Sequence, residues 1–231
     1  MDGKLIPFRR GCPKIGGNRI SPGANTRPNP TSPLMEAFLE QLAAQGPLDW
    51  FVMLTGLVYV VLAARESVWC WPWGILSCAA WAYGTFTLYD LWVDALLQLF
   101  YVGMGFWGLY AWLYGGSGKT ELPITRMQPS EHVLLLLVGS VLALLFGWLF
   151  DTYTPAAATY LDAFTTVFAI LTTLLVVRKK LENWIYWMVI DALYVYLYLS
   201  RGAVLWAILM SIYVLVAAMG WVTWRRKWAA G

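Results

Sequence analysis

Of 231 residues, 60% are hydrophobic and 13% are charged, whereas a soluble domain carries roughly 25% charged residues; mean hydropathy is +0.59. These proportions exclude a water-soluble domain and predict an integral membrane protein. A net charge of +3 calls for no nucleic-acid partner, three cysteines make no disulfide framework, and no metal-ligand spacing, nucleophile motif or phosphate loop points to an enzyme or a cofactor.

Residues 1–33 are rich in Pro, Gly, Asn and Arg without periodicity and read as a disordered basic tail. They lack the apolar segment of a secretory signal. A short amphipathic helix is expected from Glu36 to Gln45, stopped by Gly46-Pro47, with Met35 as the expected natural start. Seven apolar spans follow at about 48–64, 71–88, 93–113, 132–150, 157–177, 183–199 and 203–224. Trp50, Trp69, Trp92, Trp112, Trp184, Trp206 and Trp224 stand near span ends and are expected in the interfacial belts.

The loops on one side carry Arg65, Lys119, Arg126, Arg178, Lys179 and Lys180, and that side continues into Arg225, Arg226 and Lys227; the opposite loops hold only Arg201. Cytoplasmic loops collect Lys and Arg. The C-terminus, with a basic tail over 225–231, is therefore placed in the cytoplasm and the N-terminus outside.

Tyr101, Gly108 and Trp112 recur as Tyr213, Gly220 and Trp224 with identical spacing, on one helical face in each case. The preceding spans match loosely, Arg65-Glu66 through Trp71 against Glu182-Asn183 through Trp187. The expected fold is all-α and membrane-integral, with seven transmembrane helices arranged 3+1+3. Two parallel three-helix repeats occupy 48–113 and 151–224, separated by a loop and linker helix over 114–150. Parallel repeats with substrate held between them are a transporter architecture. The shared face carries Asp94, Gln98, Tyr101 and Gly105 in the third span, against Trp206, Met210, Tyr213 and Ala217 in the seventh.

The sixth span opens on Asn183 and presents Asn183, Trp187, Asp191, Tyr194 and Tyr198 on one face. An aspartate at a span centre costs about 2.5–3.5 kcal/mol on insertion scales, so a partner or ligand is expected for Asp191. Trp187 is the leading ligand contact, because a Trp face attracts a ring cation by about 0.5–2 kcal/mol. Asn183 and Gln98 hydrogen-bond either ligand hydroxyls or a neighbouring helix. Trp184, Tyr194, Tyr101 and Tyr213 complete the candidate substrate-binding set, the last two lining the path or packing. Asp94 and Asp162 sit near span ends in structural roles, and Glu182 is expected to cap its helix.

The stretch Arg178-Lys-Lys-Leu-Glu-Asn-Trp-Ile-Tyr-Trp187, with Leu96-Leu-Gln-Leu-Phe100, Gly108-Leu-Tyr-Ala-Trp112 and Asp162, resembles the PnuC family of vitamin transporters. The resemblance covers roughly residues 48–227. It implies a SWEET-like 3+1+3 fold in a bacterial cytoplasmic membrane, often trimeric. It also implies facilitated diffusion of nicotinamide riboside, made one-way by phosphorylation inside the cell. Where some family members carry Asn, this chain has Asp191 and Met219, so thiamine, another ring cation, is an alternative substrate. Besides the small-molecule vitamin, the partners expected are membrane lipid and further copies of the chain. A seven-span receptor without flux is the non-transport alternative.

Overall fold

A computed structural model describes residues 33–89, 91–153 and 159–230. Of the tail expected over residues 1–33, residues 1–32 lie outside them and Pro33 begins the first helix. The described residues form eight helices: α1 (Pro33–Ala44), α2 (Pro47–Ala64), α3 (Cys70–Thr87), α4 (Trp92–Tyr114), α5 (Pro129–Tyr153), α6 (Thr159–Val177), α7 (Asn183–Ser200) and α8 (Val204–Ala230). Local chemistry sets their ends. Pro47 and Pro129 start α2 and α5, where a missing N–H costs nothing. The Asp49 carboxylate accepts the Gly46 N–H at 2.8 Å. Gly202 turns the chain between α7 and α8 at φ +71°, a conformation other residues reach only with strain.

Five helices are long and apolar enough to cross a membrane: α2, α4, α5, α8 and, within α6, Tyr160–Val177. The helices α3 and α7, 18 residues each, fall short in hydropathy. Trp, Tyr, Gly and Ser dilute α3, and Asn183, Asp191 and the tyrosines dilute α7. Each is packed on two of the five, α3 on α2 and α4, α7 on α6 and α8. The last helix continues through Arg225, Arg226 and Lys227 to Ala230, where the sequence suggested a tail.

The recurring residues do matching work. A Cβ on Gly108 would fall on the Trp71 ring, and one on Gly220 would stand 2.6 Å from Trp184. Trp71 meets Trp112 edge-on at 5.4 Å, and Trp184 meets Trp224 edge-on at 5.4 Å. Trp112 and Trp224 touch each other at 5.6 Å. Trp112 Nε1 donates to the Val176 carbonyl of α6, and Trp224 Nε1 to the Ala63 carbonyl of α2, both at 3.0 Å. The first bond ties α4 to α6 and the second ties α8 to α2. The geometry pairs Trp71 with Trp184, 113 residues on, which corrects the sequence alignment of Trp71 with Trp187. Packing on a glycine fixes the register; the recurrence of Trp alone could not.

The same contacts correct the interfacial reading of three tryptophans. Trp112 and Trp184 are 2% exposed and Trp224 is 0%, in the core, whereas Trp69 and Trp92 are 68% and 61% exposed. A lone Trp near a helix end looks the same in sequence whether it faces lipid or a facing glycine.

At the same basic end, Glu66 and Lys179 both adopt left-handed backbone, φ +61° and +47°, in the turns after α2 and α6. Lys179 Nζ bonds Glu66 Oε1 at 2.8 Å and lies over the Trp112 ring at 4.6 Å. Lys227 reaches Glu66 Oε2 at 2.8 Å. Burial pushes the Glu66 carboxyl up, but the hydrogen bonds from Lys179 and Lys227 outweigh it and hold the group below its ordinary range. Glu182, expected to cap α7, makes no capping bond. Its carboxylate instead accepts from Arg126 Nε at 2.9 Å and Met127 N at 2.8 Å. It therefore pins the α4–α5 loop, where Thr125 also bridges to Lys180.

Candidate functional site

Two cavities meet among α2, α3, α4, α6, α7 and α8. The smaller, ≈ 70 Å³, is lined by Tyr59, Trp184, Trp187, Asp191 and Tyr213 with Val60, Ala63, Val176 and Ala217. The larger, ≈ 190 Å³, has Gly74, Ser77, Cys78, Tyr101, Thr173 and Met104 on its walls. Tyr59, Trp187 and Tyr213 border both, so these are two compartments of one cleft divided by three aromatic rings. Together they fall below the ~300 Å³ at which drug-sized ligand sites begin. A ligand of that size enters only if those rings move.

The chemistry of the walls is uneven. Asp191, 4% exposed, is the one carboxylate among the described lining residues, and no Lys, Arg or His lines either compartment. The walls thus offer a buried carboxylate no countercharge of their own. Trp184 Nε1 and Trp71 Nε1 are both buried with no hydrogen-bond partner among the described residues; Trp184 borders the smaller compartment and Trp71 the larger. In the larger compartment Ser77 Oγ donates to the Val52 carbonyl at 3.0 Å and Thr173 Oγ1 to the Ala169 carbonyl at 2.8 Å.

Of the sequence-predicted residues, the structure brings together Tyr101, Trp184, Trp187, Asp191 and Tyr213. The other three stand apart from the cleft walls. Asn183 is fully buried, and its amide donates to the Lys180 carbonyl at 2.6 Å, closing the first turn of α7. Tyr194 stacks on Tyr198 at 5.9 Å and packs with Phe168 and Ile190. Gln98 is half-buried on α4, one turn before Tyr101. Sequence reasoning missed Tyr59, Gly74, Ser77, Cys78 and Thr173. The repeat held a signal: on the register of Trp71 with Trp184, Trp187 corresponds to Gly74 and Asp191 to Cys78.

The cleft is shut toward the basic end by the four packed tryptophans and the Glu66 ion group. Toward the other end, a further cavity of ≈ 330 Å³ is lined by Asp49, Val52, Trp81, Tyr198 and Trp206. Val52 ties it to the cleft through Ser77. Asp49 there accepts the Tyr89 hydroxyl at 2.9 Å, and Asp162, 113 residues on, takes Arg201 at 2.8 Å.

Comparison with known proteins gives a consistent result. The pattern of the nicotinamide mononucleotide transporter family matches residues 46–226. A nicotinamide riboside transporter PnuC of Neisseria mucosa is 24% identical over 200 residues, covering 78% of this chain and 73% of its own length. Its Escherichia coli namesake is 23% identical over 197 residues, covering 74% and 82%. The crystal structure of a vitamin B3 transporter PnuC superposes with a TM-score of 0.64 at 20% identity, covering 85% of this chain and 90% of that one.

Proposed function

We propose that this chain, which belongs to the nicotinamide mononucleotide transporter family, carries nicotinamide riboside across a bacterial membrane through the cleft between two three-helix repeats. The observation that carries the reading is the cleft itself. Asp191 lies buried among Tyr59, Trp187 and Tyr213 with no basic side chain on the walls. That environment suits a pyridinium ring, and the lack of Lys and Arg opposes a phosphate-bearing mononucleotide. The reciprocal Trp112 and Trp224 bonds support a 3+1+3 arrangement in which α2–α4 and α6–α8 are the repeats and α5 is the linker. Closure at the basic end, with a cavity at the other, supports alternating access by rocking of the repeats. The basic end is placed in the cytoplasm by its Lys and Arg.

Nothing in the cleft forms a chain of proton carriers, so transport is read as uncoupled, with trapping by phosphorylation after entry. Assembly into trimers is carried over from the family resemblance. Thiamine is the second reading, favoured by Asp191, since its thiazolium is also a ring cation. Calorimetry on purified protein with nicotinamide riboside, nicotinamide and thiamine tests the substrate, and uptake into sealed liposomes tests flux. Trp187→Ala is expected to weaken nicotinamide riboside binding by about tenfold or more, from loss of stacking worth up to about 2 kcal/mol, in protein that stays folded. Wild-type affinity in Trp187→Ala would sink the site, and binding without uptake would make the protein a receptor.

A further inference from the structure

The two repeats agree where they build the basic end and disagree where they build the cleft. Trp71 and Trp184 match, as do Ala63 and Val176, whose carbonyls each take a tryptophan N–H. On the same register, Trp187 faces a cleft whose opposite repeat offers Gly74, and Asp191 corresponds to Cys78. The second repeat thus contributes a large ring and a charge, and the first contributes room and a thiol. Part of that room is taken by Tyr59: a Cβ on Gly74 would stand 2.8 Å from its ring. What remains is the larger compartment beside Ser77 and Cys78.

Two hydroxyls of that compartment are specific in what they accept. Ser77 and Thr173 have each spent their one proton on a backbone carbonyl, so toward the cavity they present only lone pairs. A ligand group beside these two must donate hydrogen bonds, while the phenols of Tyr59, Tyr101 and Tyr213 and the unpartnered Trp71 Nε1 on the other walls are donors themselves; an alcohol, both donor and acceptor, meets both kinds of wall, and a carboxylate or phosphate only the second.

From this division of the walls we infer that the cleft fixes the direction in which its ligand lies. The ring cation occupies the compartment of Asp191, Trp184 and Trp187. A hydroxylated arm occupies the compartment of Ser77, Cys78, Tyr101 and Thr173. Cys78 becomes a residue that selects for the arm and takes no part in holding the ring. The inference rests on the reading of the cleft as the transport site, and it deepens that reading by assigning each end of the ligand to its own residues.

Three probes separate the two ends: nicotinamide riboside, 1-methylnicotinamide (the ring cation without the arm) and neutral nicotinamide. Cys78→Leu fills the arm compartment and is expected to raise the Kd of nicotinamide riboside at least ~tenfold, the scale of a pocket mismatch of one or two methylenes. It is expected to leave 1-methylnicotinamide within about threefold. Asp191→Asn is expected to weaken both cations at least ~tenfold and nicotinamide hardly at all. A Cys78→Leu variant that weakens both cations equally, or neither, overturns the division.

Should Cys78→Leu fail to fold, wild-type protein decides the matter. Alkylation of Cys78 by N-ethylmaleimide, followed by mass spectrometry, is slowed by saturating nicotinamide riboside if the arm lies there. Unchanged alkylation overturns the inference. If wild type binds thiamine in place of nicotinamide riboside, the same variants are read with thiamine, whose hydroxyethyl group is the arm. Binding of neither cation removes the proposed function and this inference together. Binding of nicotinamide riboside without the Cys78 effect leaves the function standing and removes only the orientation.

Discussion

Replacing Lys179 by Met removes a charge and keeps an unbranched stem, which makes the ion group at the basic end measurable. The Lys179 side chain is 4% exposed and Glu66 is 15% exposed. Removing one partner of a buried pair costs about 3–5 kcal/mol, because the other charge is left without compensation. Glu66 keeps Lys227 at 2.8 Å, and that lysine is half in water. The cost of Lys179→Met is therefore expected at or below the bottom of that range, about 2–3 kcal/mol. Glu66→Gln strands Lys179 with only the Trp112 face, worth about 0.5–2 kcal/mol, and is expected to cost about 3 kcal/mol. If the two act as a unit, the double variant loses less than the sum, by a coupling of about 1–3 kcal/mol. Unfolding in mixed detergent–SDS micelles, followed by tryptophan fluorescence, measures all three. Additive losses, with coupling under about 0.5 kcal/mol, would refute the reasoning that these charges hold the repeats together.

Three further outcomes follow from the same contacts. Gly108→Ala and Gly220→Ala each push a methyl against a buried indole; each is expected to cost about 1–3 kcal/mol, readable as a lower Tm, and a neutral result at both would undo the matched-repeat geometry. Trp224→Phe removes the N–H given to Ala63, whose carbonyl keeps the Glu66 N–H at 2.9 Å, for an expected loss of about 0.5–1.5 kcal/mol in the same unfolding assay. The carboxyl of Glu66 is held low in the folded state, so its stabilisation is present above the ordinary glutamate range near 4.5 and disappears as pH falls through the depressed folded value. The stability gap between wild type and Glu66→Gln should accordingly close on acidification below that range; a gap that persists at the lowest pH would assign it to packing.

Helix positions were legible because long apolar runs, proline starts and the Gly46-Pro47 and Gly202 breaks are local signals. The sharing of Tyr101, Gly108 and Trp112 with Tyr213, Gly220 and Trp224 was legible for a similar reason, since identical spacing survives in one dimension. Trp187 and Asp191 announced themselves by the cost of burying a carboxylate in an apolar helix. Tyr59 and Thr173 did not, because a lone Tyr or Thr in an apolar run has no spacing that separates a cleft wall from ordinary packing. Gly74 and Cys78 were hidden by the alignment of Trp71 with Trp187, which the contact between Trp184 and Gly220 corrects. Asn183 misled in the opposite sense. Its Nδ2 is held by the carbonyl three residues back, while its Oδ1 is buried with no partner among the described residues.

The helix α5 packs on α6 and reaches α7 where His132 Nδ1 and the Tyr186 hydroxyl lie 2.7 Å apart, and α1 packs on α8. The loop before α5 is sewn onto the α6–α7 turn by Thr125, Arg126 and Met127, and Gln41 of α1 bonds both Gly202 O and Leu205 N. Among the described residues, α1 and α5 are therefore both fastened to α6–α8. On the proposed rocking of the repeats, α2–α4 moves as a three-helix rotor against a five-helix stator of α1 and α5–α8. Drag from lipid, oligomeric neighbours or an antibody fragment would accordingly be felt differently on the two sides. On that proposal a crosslink between α5 and α6 lies within one unit and should leave transport intact, whereas a crosslink between α4 and α5, where Val93 and Phe146 line one cavity, spans both units and should stall it.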